Sequence, residues 1–178
     1  MTRQAFLVRT AAAAAAVALV LTAGCASPRG PRAIANLQPT TGSTVSGTVR
    51  FSQWGNQVVV TGEIRGLKPN AEHGFHVHEK GDCSSGDGMS TGGHFNPDGK
   101  AHGQHGQGAH HAGDLISLKA DAKGVADFSY HSTTISVGSG TANVVGKGVI
   151  VHRDPDDYKT QPTGNAGPRL ACGVVAPV

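Results

Sequence analysis

Two runs of strict alternation decide the fold class of this chain. Val45, Gly47, Val49 and Phe51 alternate with Ser46, Thr48, Arg50 and Ser52, and Val58, Val60, Gly62 and Ile64 alternate with Val59, Thr61, Glu63 and Arg65. A period of two puts one set on a buried face and the other on a wet face, as in a half-buried strand. Gln53-Trp54-Gly55-Asn56 lies between the runs and reads as the turn of a hairpin. Further strands are expected at 73–79, 114–119, 124–131, 144–152 and 169–175, joined by Gly- or Pro-containing connections. No segment carries a sustained 3.6-residue pattern, and 26 Gly among 178 residues with few aromatics also disfavour helix. The expectation is an all-β domain, a Greek-key antiparallel β-sandwich or barrel of about eight strands. Two long connections, 80–113 and 153–168, are expected to be functional, because long loops in a compact domain usually are.

The N-terminus has a different character. Arg3 and Arg9 accompany an apolar stretch, residues 10–23. This is shorter than the roughly 20 residues a membrane span needs, so it reads as a signal peptide. It runs into Leu21-Thr22-Ala23-Gly24-Cys25, similar to a bacterial lipoprotein cleavage site, with Thr22 where Leu is commoner. We expect a lipoprotein-type signal peptide over 1–24, a tether over 25–38 and one domain over 39–178. Cys25 would carry the lipid, anchoring the protein to a membrane in the cell envelope on a periplasmic or other extracytoplasmic side. An ordinary signal peptide with an incidental Cys25 is the alternative. With Cys25 lipidated, Cys83 and Cys172 remain to form a disulfide in an oxidising compartment. Loss of Arg3 and Arg9 leaves 13 basic residues (15 − 2) against 12 acidic ones, which gives no argument for nucleic-acid binding.

Ten histidines exceed what such a domain needs for structure, and all of them lie in the stretch from His73 to His152. His76 and His78 sit on one face of an apolar strand, with α-carbons about 6.5–7 Å apart, close enough to share an ion. His94, His102 and His111 follow in the Gly-rich loop, with Asp114 three residues after His111. Three imidazoles and a carboxylate make a plausible zinc shell. His152 ends the apolar run Val149-Ile150-Val151 and can return to His76 and His78 in a closed sheet.

Gly74-Phe75-His76-Val77-His78-Glu79, Gly92-Gly93-His94-Phe95-Asn96-Pro97, His111-Ala112-Gly113-Asp114, Val151-His152 and the run from Gly164 to Gly173, GNAGPRLACG, together resemble the copper/zinc superoxide dismutase family. The resemblance spans roughly residues 39–176. It implies copper on His76, His78, His94 and His152, and zinc on His94, His102, His111 and Asp114, with His94 bridging the two. It also implies a catalytic role for His94, which takes up a proton in one half of the cycle and gives it up in the other. Asp156 matches a carboxylate that orients His76 and His102, and Arg169 matches an arginine that attracts and orients superoxide. His73 is expected to be structural, and His105, His110 and His131 solvated; His110 adjoins His111 and could compete for zinc, but the spacing to Asp114 favours His111. Lys159 is a candidate for steering the anion. The loop after His152 is shorter than in cytosolic eukaryotic members, the acidic pair and lysine found near the arginine there are missing, and the Cys83–His94 segment resembles exported bacterial ones. A homodimer is possible, but eukaryotic dimer contacts are not expected, because few residues follow Cys172. The competing reading is a non-catalytic periplasmic copper- or zinc-binding protein on the same fold.

Overall fold

The computed structural model describes residues 30–178 and Met1; the expected signal peptide and Cys25 lie outside the described residues. Nine strands form among these residues: β1 Arg32–Pro39, β2 Ser46–Trp54, β3 Gln57–Arg65, β4 Glu72–His73, β5 Phe75–His78, β6 Leu118–Lys119, β7 Ala126–Ser132, β8 Gly148–His152 and β9 Arg169–Pro177. Seven make one antiparallel sheet in the order β5-β8-β9-β1-β2-β3-β7. Its two ends curl towards each other. β4 continues into β5 across Gly74, β6 pairs with β4, and β6 packs against β7, so the ring closes through this short ribbon. Because β3 lies beside β7 rather than beside β4, its successor, the connection is a Greek key.

The β2–β3 hairpin follows from its alternation. Val49 and Phe51 of β2 and Val58, Val60 and Ile64 of β3 are fully buried. The turn is tighter than the four expected residues: Trp54 pairs with Gln57, leaving Gly55 and Asn56, with Gly55 at φ +58°. Gly62 shares the inward face with Val58, Val60 and Ile64, and a β-carbon there would lie 2.7 Å from the Phe128 ring. Phe128 in turn meets Phe75 edge-on at 5.5 Å, filling the barrel centre.

Three expected boundaries move, one being the strand expected at 144–152, which begins only at Gly148 because a turn occupies the residues before it. Residues 32–38 belong to the barrel and not to the tether, since β1 is paired on both sides, with β2 and with β9. Its buried residues, Ala33, Ala35 and Leu37, do alternate, but two are alanines, and a side chain that small gives a weak periodic signal. The strand expected at 114–119 is reduced to two residues, because Asp114 and Leu115 are held elsewhere, Asp114 N–H by His111 O of the loop and Leu115 N–H by Phe75 O of β5.

All residues of β5 and β8 are buried. Phe75 and Val77 point into the barrel, while His76 and His78 lie on its outer face, covered by the long loop that follows β5. Cys83 of that loop forms a disulfide with Cys172 of β9 at a Cα–Cα distance of 5.9 Å. Closing 89 residues by this bond reduces the freedom of the unfolded chain by about 4–5 kcal/mol in the chain-entropy account. Cys83→Ser should therefore lower the melting temperature, and a reductant should bring wild type to the same value. Coincident melting curves for oxidised and reduced wild type would contradict that role.

Candidate metal centre

Three segments that are remote in sequence bring the histidines together. β5 supplies His76 and His78, and β8, its ladder neighbour, supplies His152. The loop after β5 returns to β5 twice, through the pairings of His78 with His94 and of His76 with Asp114. Two clusters result: His76, His78, His94 and His152, and His94, His102, His111 and Asp114. In each, one potential ligand atom per residue lies within 4.8 Å of all the others. These are the expected ligand sets, and His94 belongs to both.

The unpaired nitrogens show what the clusters can hold. His76 Nδ1 and the Nε2 atoms of His78, His94 and His152 are buried without a hydrogen-bond partner. The opposite nitrogen of each ring is engaged: His76 Nε2 with Asp156 at 2.7 Å, His78 Nδ1 with Gly92 O at 2.9 Å, His94 Nδ1 with Asp114 at 2.8 Å, and His152 Nδ1 with Gly167 O at 3.0 Å. A carbonyl can only accept, so the Nδ1 atoms of His78 and His152 carry the proton and their Nε2 atoms offer a lone pair. A cluster of buried lone pairs that no protein donor satisfies fits a cation.

In the second cluster Asp114 Oδ1 lies 2.8, 3.0 and 3.3 Å from the Nδ1 atoms of His94, His102 and His111. Zinc bonds of about 2 Å would place tetrahedral ligand atoms about 3.3 Å apart, so this set fits zinc. Asp114 Oδ2 accepts from the backbone N–H groups of His111 and Gly103 and is thereby fixed. Asp156 joins the clusters, accepting from His76 at Oδ2 and from His102 at Oδ1. Gln161 clamps the backbone of His102 from both sides, its Oε1 accepting from N–H and its Nε2 donating to the carbonyl. Nothing in the sequence marks Gln161 for this task, because its partner lies 59 residues away.

Arg169 stands beside the first cluster. Its NH1 donates to Gly88 O at 2.7 Å and to Thr91 Oγ1 at 2.6 Å, and its NH2 donates to Gly92 O at 2.8 Å. Three of its five N–H bonds are thus spent on the loop, leaving two for a ligand. The placement depends on a bulge. Val151 pairs with Ala171 but His152 pairs with Arg169, so Leu170 is the extra residue. Regular alternation from Cys172, which shares the outer face, would have turned Arg169 into the core. Thr91 and Gly92 were not singled out in the sequence as supports for Arg169. Gly92 adopts φ +73°, and a β-carbon there would collide with the Glu79 carboxylate.

Of the other histidines, His73 is buried and its Nδ1 donates to His152 O, as a structural residue should. His131 is exposed, as expected. His110 is instead buried, its Nδ1 donating to His111 O and its Nε2 accepting from Gly106 N–H, and His105 is half-buried with Nδ1 donating to Asp114 O. Both fold the loop under itself, because its glycines let it turn sharply enough to cover them. Lys159 is exposed on a turn capped by Asp157.

Burial dominates the electrostatics of the first cluster. It pushes His78 and His152 well below the ordinary 6.5 and lowers His76 too. Burial brings His94 down to about 4 against the opposing bond to Asp114. In His102 the carboxylates of Asp114 and Asp156 outweigh burial and raise it to about 9, so an entering cation must displace a proton there. Burial opposes the charge on Asp114 and Asp156, but hydrogen bonds from the histidines prevail and hold both well below the carboxylate range.

On unfolding, each imidazole returns to its ordinary value. Between pH 6.5 and about 4 the unfolded chain therefore binds more protons at His76, His78, His94 and His152 than the folded one does, and stability falls with pH. His102 has the opposite sign: its contribution is complete below 6.5 and is lost as pH rises through about 9. Four groups outweigh one on the acid side. The melting temperature of metal-free protein should drop steadily from pH 6.5 to about 4, and a flat profile would show that the cluster is not held neutral.

The family model for "Copper/zinc superoxide dismutase (SODC)" matches residues 45–175. A "Superoxide dismutase [Cu-Zn]" of Paramecium bursaria Chlorella virus 1 is 42% identical over 137 residues, which cover 74% of this chain and 72% of the viral one. The crystal structure of the clock protein EA4 superimposes with a TM-score of 0.75 at 42% identity, covering 83% of this chain and 94% of that one. A match over most of the barrel, together with two clusters that share one imidazole, leaves one conclusion: the chain belongs to the copper/zinc superoxide dismutase family.

Proposed function

We infer that the chain is a superoxide dismutase in which His76, His78, His94 and His152 hold copper, and His94, His102, His111 and Asp114 hold zinc. The observation that carries this reading is the set of buried nitrogens without partners in both clusters. When bound, copper supplies the one-electron oxidation and reduction by which two superoxide ions and two protons become oxygen and hydrogen peroxide, and zinc supplies a fixed positive charge. The rest is the work of the chain. His94 holds a proton at Nε2 in one half of the cycle and gives it up in the other. Asp156 keeps the rings of His76 and His102 in one orientation through their outer nitrogens. Arg169, already fixed by three acceptors, presents its remaining N–H groups to a small anion. A purely metal-storing protein has no use for such a guanidinium beside its ligands, and this argues against the non-catalytic alternative.

The N-terminal sequence supports export with lipid on Cys25, and the Cys83–Cys172 disulfide suits an oxidising compartment outside the cytoplasm. Two or three acyl chains would hold the protein firmly at a membrane, whereas a single one would hold it marginally.

Arg169→Ala should keep both metals, cut the second-order rate substantially and flatten its dependence on ionic strength, because salt screens attraction over about 8–10 Å. Arg169→Lys should fall between the two. Stopped-flow rates over a salt series, with metal content measured in parallel, check this; loss of copper, or an unchanged rate and salt slope, would return Arg169 to a structural role. His94→Ala should disturb binding of both metals and His102→Ala chiefly that of zinc, as followed by metal titration. Loss of copper alone from His94→Ala would remove the shared-ligand assignment.

A further inference from the structure

We propose that the end of the barrel where β1 begins docks on the membrane, with Trp54, Arg32 and Arg50 lying against a bilayer surface that carries anionic headgroups. The proposal rests on the reading that Cys25 is lipidated, and it adds which face meets the lipid and which way the metal centre points.

The first argument is reach. Four residues separate Cys25 from Gly30, the first residue of the described domain, so five Cα–Cα steps join them. A chain spans at most about 3.6 Å per residue, so the lipid-bearing residue lies within about 18 Å of Gly30 however the segment runs. Gly30 and Pro31 in turn lie against the β2–β3 hairpin. Pro31 O accepts from Gln53 N–H at 2.9 Å, and a β-carbon on Gly30 would sit 2.8 Å from Gln53. The next residue is Trp54, at the tip of the hairpin.

Trp54 provides the second argument. It is the only tryptophan of the chain and is 53% exposed, an unusual place for so large an apolar side chain in a domain with this few aromatics. Tryptophan favours the boundary between water and acyl chains, where the ring can be buried while its N–H stays wet. Charge provides the third. Arg32 and Arg50 are exposed and line one cleft at this end. The segments that meet there, 30–34, 50–58, 131–145 and 174–178, carry no Asp or Glu side chain, and Val178 lines the same cleft as the two arginines. A cationic surface around an exposed indole, within short reach of an acyl anchor, fits an anionic bilayer.

The orientation follows from β1. The strand runs away from the tether for roughly 23 Å at ordinary strand rise. At its far end Thr40 N–H donates to Leu170 O, Thr40 Oγ1 donates to Arg169 O, and Thr41 N–H donates to Gly86 O of the loop that clamps Arg169. The guanidinium thus stands at the end of β1 away from the bilayer, open to anions from the aqueous side.

Trp54 reports on this directly. The lipid-bearing protein is reconstituted into vesicles of phosphatidylcholine with phosphatidylglycerol, and into vesicles of phosphatidylcholine alone, each with and without brominated acyl chains. Soluble Cys25→Ser protein is the reference. On the anionic vesicles Trp54 emission should shift to the blue and fall roughly twofold with brominated lipid, as for an indole at the interface. Arg32→Glu/Arg50→Glu protein should still float with the vesicles but lose most of the quenching. Wild type that floats while its tryptophan emits like the Cys25→Ser form overturns the docking face and leaves the anchor intact. Wild type that carries no lipid and stays off the vesicles overturns the anchor and the docking together. A blue shift that grows with protein concentration in the absence of vesicles overturns the proposal in favour of a second copy of the chain.

Discussion

The carboxylate of Asp114 is the point on which the rest of the site depends. One oxygen is tied to two backbone N–H groups of the loop, and the other faces three imidazoles at 2.8–3.3 Å. A buried carboxylate is costly unless it is compensated, and here every compensating group comes from one loop, residues 94–111. Asp114 therefore folds that loop as much as it binds anything. The loop in turn covers the outer face of β5 and β8, which is why strands with an outer row of histidines are buried on both sides.

The second organising feature is the bulge in β9. A strand that carried Cys172, Arg169 and the core residues between them in regular register could not put the disulfide and the guanidinium on the same side. One extra residue solves this. The loop end then receives Arg169 at three acceptors, one of which, the Gly92 carbonyl, also accepts from His78. A single carbonyl thus sets the spacing between a ligand ring and the cation beside it, and the conformation of Gly92 leaves no room for a side chain.

Much of this was legible in the sequence because it was periodic or compact. The alternations around Val49 and Val60 give the hairpin, and the two-residue offset of His76 and His78 puts both rings on one face. The loop ligands were readable as a set because His111 and Asp114 are close in sequence. Features that depend on an irregularity were not readable. No pattern announces that Leu170 is extra, and a strand whose inner face is mostly alanine, as in β1, resembles a linker. Nothing in the sequence around His110 signals its burial, which the turns at the glycines of its loop bring about. Gln161 acts through a contact that only the closed barrel creates.

The loop between the disulfide and Arg169 is tied down unevenly. Cys83 fixes one end, and Gly88, Thr91 and Gly92 fix the other; between them Gly86 is held by Thr41, while Ser84, Ser85 and Asp87 are exposed and bond mainly within the loop. Lengthening a loop whose ends are pinned costs little, since closure entropy grows only with the logarithm of its length. Insertions and deletions between Cys83 and Gly88 can therefore accumulate without moving a ligand ring. This stretch is where related sequences are free to diverge in length, and it offers a site for grafting a short peptide while the chemistry beneath is left alone.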